Sequence, residues 1–222
     1  MIPLRDSTPS STAPVVVYAI IATCVAVFLY TVGLGSEARI EAFYTSFGAV
    51  PHAVTTAAPG AYWGLLTSMF LHGGWLHLGG NMLFLWVFGD NIEDAMGHFR
   101  FVIFYLLTGL IATFSHIVTQ PASAVPLVGA SGAIAGVLGG YLVLYPRAHI
   151  LSLVFLGYFA RVVELPAVVV LGLWFLIQVM QGFVALGSSD VASIAFWAHV
   201  GGFVAGVVLV KLFAARRRRW EY

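Results

Sequence analysis

Runs of about twenty mostly apolar residues, each long enough to cross a bilayer as a helix, alternate with short polar breaks along most of the chain. Six can be drawn. The first is Ala13 to Val32, the second opens near Trp75 and continues through "LHLGGNMLFLWVF", and the third is Arg100 to Val118. The fourth runs from about Leu127 to Tyr145, the fifth from Leu165 to Gly187 and the sixth from Val191 to Phe213. The first run is longer than the apolar part of a usual secretion signal, has a weakly basic start and lacks a cleavage site behind it. It is therefore read as a retained helix. The pattern predicts an all-α, polytopic membrane protein. A polar tail at 1–12 and a basic tail at 214–222 flank one membrane domain at 13–213.

Composition agrees. Hydrophobic residues fill 60% of the 222 positions, charged residues only 9%, and mean hydropathy is +0.96, which excludes an ordinary soluble domain. The net charge of +1 says little, but the placement of the charges says more. Arg216 to Arg219 mark the C-terminal end as cytoplasmic, and an even number of spans returns the N-terminus with Arg5 to the same side. Arg100, Arg147, Arg161 and Lys211 fall at cytoplasmic ends, which leaves only Arg39 of the ten basic residues outside. The arginine tail reads as a topology anchor touching lipid headgroups rather than nucleic acid. The single cysteine, Cys24, rules out an internal disulfide, and no cysteine cluster marks a metal site.

The breaks are short except for residues 33 to 74, whose aromatic, weakly charged sequence predicts a loop lying partly in the membrane interface. Within the apolar runs, four polar groups stand where burial is costly: His77 and Asn81 on the second run, Ser131 on the fourth, His199 on the sixth. All three runs enter from the external side. At 1.5 Å per residue Ser131 lies roughly 6 Å down its helix and His199 roughly 13 Å, so tilt and loop depth can bring all four to one level. His77 and Asn81 are four apart and share a helix face.

Ser131 sits in "GASGAIAGVLGG" and His199 heads "HVGGFVAG". Small-residue faces such as Gly132/Gly136 and Gly202/Gly206 let two helices approach closely, which would make Ser131 and His199 neighbours. A hydroxyl needs an adjacent base to act as a nucleophile, and imidazole is the usual one. No carboxylate stands at that depth, so the pair would be a dyad. Asn81, His77 and the Ser131 backbone N–H could stabilise an oxyanion. Other readings remain. A serine among glycines is more often a packing residue, and His77 with His199 could ligate a haem. A metalloprotease is disfavoured by the absence of HExxH, and an aspartyl protease because Asp90, Asp94 and Asp190 lie at helix ends. His52, His72, His98, His116 and His149 read as loop or interface residues, with His72 near enough to support the site.

Taken together, "LTSMFLHGGWLHLGGNMLFLWVFGDNIEDAMGHFRFVIFYLLTG", "GASGAIAG" and "AHVGGFVAG" resemble the rhomboid intramembrane serine proteases in their six-helix prokaryotic form. The likeness runs from about Trp63 to Gly206. It implies Ser131 as nucleophile, His199 as general base, His77 and Asn81 with the Ser131 amide at the oxyanion, and no metal or organic cofactor. It further implies transmembrane proteins as substrates, cut near the outer face of the bilayer, and a bacterial inner-membrane location. A silent relative that binds membrane clients would share the fold. Two positions depart from the family pattern. Gly64 stands where an arginine often follows the tryptophan, and Ala135 stands one turn after the serine where many members carry an aromatic ring. His199 is therefore expected to be held by different packing, or less tightly.

Overall fold

The structure is a computed structural model and describes residues 1–157, 159–186 and 196–214. The expected basic tail at Arg216 to Arg219, and Asp190 at the head of the sixth run, lie outside the described residues. The chain opens with strand β1 (Ile2–Asp6) and helix α1 (Val15–Gly33), followed by the short helices α2 (Glu37–Phe47), α3 (Pro51–Thr55) and α4 (Gly64–Thr67). Long helices α5 (Trp75–Met96) and α6 (His98–Thr119) precede α7 (Ser131–Leu144). A hairpin of β2 (His149–Leu156) and β3 (Phe159–Pro166) then leads to α8 (Ala167–Leu186) and α9 (Phe196–Phe213).

Four of these helices, α1, α6, α8 and α9, are long and apolar enough to cross a membrane, and the protein is a multi-pass integral membrane protein. Helix α5 is as long as α6 but is interrupted by His77, Asn81, Asp90 and Asn91. Helix α7 is apolar but has 14 residues, a rise of about 21 Å, less than the ~30 Å of hydrocarbon. Its whole stretch from Gly132 to Tyr141 is buried, so α7 is the axis around which the others pack.

Glycine makes that packing possible. In lipid, apolar surface gains nothing by leaving water, so helices associate through close van der Waals contact and small residues at the crossing. A Cβ on Gly206 would lie 1.9 Å from the Gly136 carbonyl oxygen, and one on Gly202 would lie 2.0 Å from that of Gly132. From the other side, a Cβ on Gly139 would meet the Phe203 carbonyl oxygen at 2.1 Å. Backbones of α7 and α9 therefore touch, and no side chain fits between them. Helix α6 closes the third side, where Gly136 leaves room for Thr108 and Gly201 for Ser115. Around the glycines, Phe88, Phe104, Tyr105, Leu138, Tyr141 and Phe203 fill the interior.

The segment at 33–74 forms the short helices α2, α3 and α4. It is tied down by backbone contact: a Cβ on Gly64 would lie 2.1 Å from the Gly48 carbonyl oxygen. The arginine missing at position 64 would not fit there. Ala49 pairs with Leu127 in an isolated bridge, and the Tyr44 hydroxyl donates to the His72 carbonyl at 2.7 Å.

The end of the molecule away from Ser131 departs from the all-α expectation. Strands β1, β2 and β3 form one antiparallel sheet in that order, with Ile2 opposite Leu153 and His149 opposite Pro166. Gly157, at φ +62°, makes the hairpin turn, and the register shifts between Pro3 and Arg5, as fits a proline on an edge strand. Residues 1–12 are thus docked against the helices rather than trailing. Ser10 donates to Asp90, while Ser11 and Thr12 donate to Asp94. The buried Glu93 carboxylate accepts the backbone N–H groups of Val16 and Val17 at 2.9 and 2.8 Å. That satisfies the free donors at the start of α1 and sets a negative charge against its positive dipole end. His98 holds the same carboxylate through Nδ1 at 2.5 Å.

Two outcomes test this packing. Gly206→Val forces a side chain into the α7–α9 crossing and is expected to lower the thermal midpoint in detergent, with a cost of at least about 1–3 kcal/mol. Gly79→Ala, where a Cβ meets nothing within 4 Å, is expected to leave the midpoint unchanged or raise it slightly. A separate test concerns the docking of β1 through Asp6, which accepts from the Tyr141 hydroxyl at 2.6 Å. Burial, reinforced by the nearby Asp90 charge and opposed by the Tyr141 bond, pushes its carboxyl from 3.8 up to about 6. The folded chain therefore holds a proton that the freed strand releases, and docking of β1 weakens as pH rises from about 4 through about 6. Hydrogen exchange over residues 2–6, corrected for intrinsic rates, should be slower near pH ~5 than near ~7.5, and Asp6→Asn should abolish the difference.

Candidate active site

Helix α7 starts at Ser131, later than the hydropathy pattern implies, because the residues before it are committed elsewhere. Leu127 is held by the bridge to Ala49, and the Gly129 N–H donates to the Ser68 carbonyl at 2.9 Å. Gly129 adopts φ +134°, which L side chains rarely reach, and this bend turns the chain into the helix. Ser131 is then the first helical residue, where backbone N–H groups have no acceptor within the helix. Ser131 itself is half-buried.

His199, in the first turn of the described part of α9, faces it. The close crossing of the two helices brings its Nε2 to 2.7 Å from Ser131 Oγ. Its other ring nitrogen, Nδ1, is 2.6 Å from the Gln178 side-chain oxygen of α8. The Trp174 ring, one turn earlier on α8, lies against the imidazole with centroids 6.0 Å apart at 37°. Ala135 contributes no ring, so the face of His199 is covered from α8 instead. Both nitrogens of His199 are therefore engaged by side chains, Nε2 by Ser131 and Nδ1 by Gln178.

His77 and Asn81 approach from α5. A Cβ on Gly129 would lie 2.8 Å from His77 Nε2 and 3.5 Å from Ser131 Oγ, so the bare glycine is what admits the imidazole beside the serine. The buried Asn81 amide donates to His72 Nε2 at 3.0 Å, and His72 sits edge-on to His77 with centroids 5.2 Å apart. Ser131, His199, His77 and Asn81 line one open cavity of about 610 Å³, together with Gln178 and His116.

The four residues singled out in the sequence are therefore brought together, and three others join them, of which only His72 was expected near the site. His116 is buried in α6 at the cavity wall rather than in a loop, and His72 is a buried partner of Asn81. Gln178 was missed altogether, although an amide in the middle of an apolar run is itself a signal. Its neighbour Gln181 gives the same signal and is exposed, so only the packing separates them.

A bundle built on a short buried helix, with a serine, an imidazole and an amide meeting at an open and largely apolar cavity, is the architecture of a polytopic membrane protein. The rhomboid domain model matches residues 59–216, and the chain belongs to the rhomboid family. It is 36% identical over 129 residues to rhomboid protease GluP of Bacillus subtilis, covering 58% of this chain and 24% of that protein. Rhomboid-like protein 11, chloroplastic, of Arabidopsis thaliana is 31% identical over 161 residues, 69% of this chain and 53% of the relative. The putative rhomboid protease YdcA of Bacillus subtilis is 40% identical over 85 residues, 38% of this chain and 42% of the relative. The chain thus spans between about a quarter and about half of these relatives' lengths.

Gly129→Ala is expected to strain the bend before α7 by about 1–3 kcal/mol, lowering the thermal midpoint. A structure of that variant should show the His77 ring displaced, because the new methyl occupies its place.

Proposed function

We propose that this protein is an intramembrane serine endopeptidase that cuts transmembrane proteins near the outer face of the bilayer. The observation that carries the proposal is the 2.7 Å contact between Ser131 Oγ and His199 Nε2, inside a membrane bundle, at an open cavity. In this reading the chain makes six spans with both ends cytoplasmic, and α5, α7 and α9 enter from the external side of a bacterial inner membrane. The cavity then opens outward, where water can reach it.

His199 Nε2 takes the Ser131 proton as Oγ attacks the substrate carbonyl carbon. The carbonyl oxygen becomes an oxyanion, stabilised by the Ser131 N–H, by His77 and by the Asn81 amide. Collapse breaks the C–N bond, and the proton held on His199 goes to the leaving amine, which departs as a new N-terminus. Water, deprotonated by His199, attacks the ester carbon and releases the carboxylate product, and the proton returns to Ser131 Oγ. An intact substrate helix has its carbonyls bonded to N–H groups four residues on, so the segment must unwind locally before Ser131 can attack. None of these steps requires a metal or an organic cofactor.

The test is cleavage of a panel of single-span proteins reconstituted with the purified enzyme in liposomes. Ser131→Ala and His199→Ala are each expected to abolish it, a loss of at least about 10³-fold. Cleavage that persists in Ser131→Ala overturns the proposal. A protein that binds the panel but cuts none of it is a client-binding relative instead.

A further inference from the structure

We infer that Gln178 is a positioning residue for His199, fixing which ring nitrogen carries the proton and where the ring points. The inference rests on the serine-peptidase reading for its kinetic consequence, but not for its geometry.

The chemistry follows from the two contacts on one ring. A carboxamide oxygen can only accept a hydrogen bond, so the nitrogen facing it at 2.6 Å must be the one that carries hydrogen. A neutral imidazole has a single N–H. With that proton on Nδ1, the lone pair of Nε2 points along the 2.7 Å line to Ser131 Oγ, where the hydroxyl donates. The opposite tautomer would aim an N–H at the serine and could not receive its proton. Without an acceptor at Nδ1, nothing among the described residues selects between the two.

Orientation is set from the same helix. Trp174 and Gln178 are four residues apart on α8 and share a face. Trp174 lies over the imidazole while Gln178 holds its edge, and Gln178 is only 9% exposed. Gln181 on the same helix is exposed, so the effect belongs to one glutamine and not to the polarity of α8. The choice of an amide also suits its depth. A carboxylate there would orient the ring as well, but burying its charge inside a membrane is costly. The amide provides direction and tautomer without that charge, and does less to stabilise an imidazolium.

The experiment uses the full chain in liposomes with Gln178→Leu and Gln178→Met, which keep the size and remove the acceptor, and Gln178→Glu, which retains one. Histidine labelled with ¹⁵N reports the tautomer, and the His199 signals are assigned by their loss in His199→Asn. The unaltered protein should give a single Nδ1–H tautomer; Gln178→Leu and Gln178→Met should give a mixture. Their kcat should fall about 10- to 100-fold, part of the ~10²–10⁴ that a placed general base contributes, with KM and thermal midpoint nearly unchanged. Gln178→Glu should recover most of the rate. A single unchanged tautomer and normal kcat in both apolar variants overturn the inference, as does a Gln178→Glu variant no better than Gln178→Leu. If the unaltered protein cuts nothing, the peptidase reading fails while the tautomer measurement still decides the role of Gln178.

Discussion

The contact of bare backbone between α7 and α9 is the constraint on which the rest depends. Where Gly202 and Gly206 pass the carbonyls of Gly132 and Gly136, even a methyl group would lie about 2 Å from oxygen. Only at that separation can a serine on one helix and an imidazole on the other meet at 2.7 Å. Dispersion and weak Cα–H···O contacts hold the crossing, since lipid offers helices no hydrophobic drive to associate. The burial of α7 on all sides follows, because a glycine-lined helix can be approached closely by several neighbours at once.

The polar groups of the site are hydrogen-bonded in two small chains, with His72 Nδ1 left buried and without a partner among the described residues. Ser131 is linked to His199 and His199 to Gln178; Asn81 is linked to His72. Each link draws on a different helix or loop, so the arrangement is held from several directions. Gly129 joins the two groups by leaving space for His77 beside Ser131. At the opposite end the buried Glu93 performs an equivalent task for α1, giving its first N–H groups a partner in place of water.

Much of this was legible in the sequence because hydropathy, glycine spacing and helix periodicity are local signals. They place the six apolar runs, the Gly132/Gly136 and Gly202/Gly206 faces, and the four polar residues that share the cavity. Long-range pairing was not legible. Residues 149–164 read as a connection, and Leu165 and Pro166 as the start of the fifth run, because the sheet is completed only when β1, some 150 residues away, supplies the third strand. The late start of α7 depends on the backbone at Gly129 and the tie between Leu127 and Ala49, which no periodicity reports. Gln178 was hidden for a related reason. Gln178 and Gln181 stand in the same apolar run, and only the direction in which α8 faces decides which one meets His199.

The most direct test of the central claim, that helix packing alone turns a serine in a glycine-rich helix into a nucleophile, is site-resolved chemical labelling. The protein in liposomes is treated with a fluorophosphonate, digested, and every serine is scored by tandem mass spectrometry. The account predicts modification at Ser131 and its loss in His199→Ala, with the other serines unmodified. Labelling spread over many serines, or an adduct on Ser131 that forms equally well without His199, would contradict it.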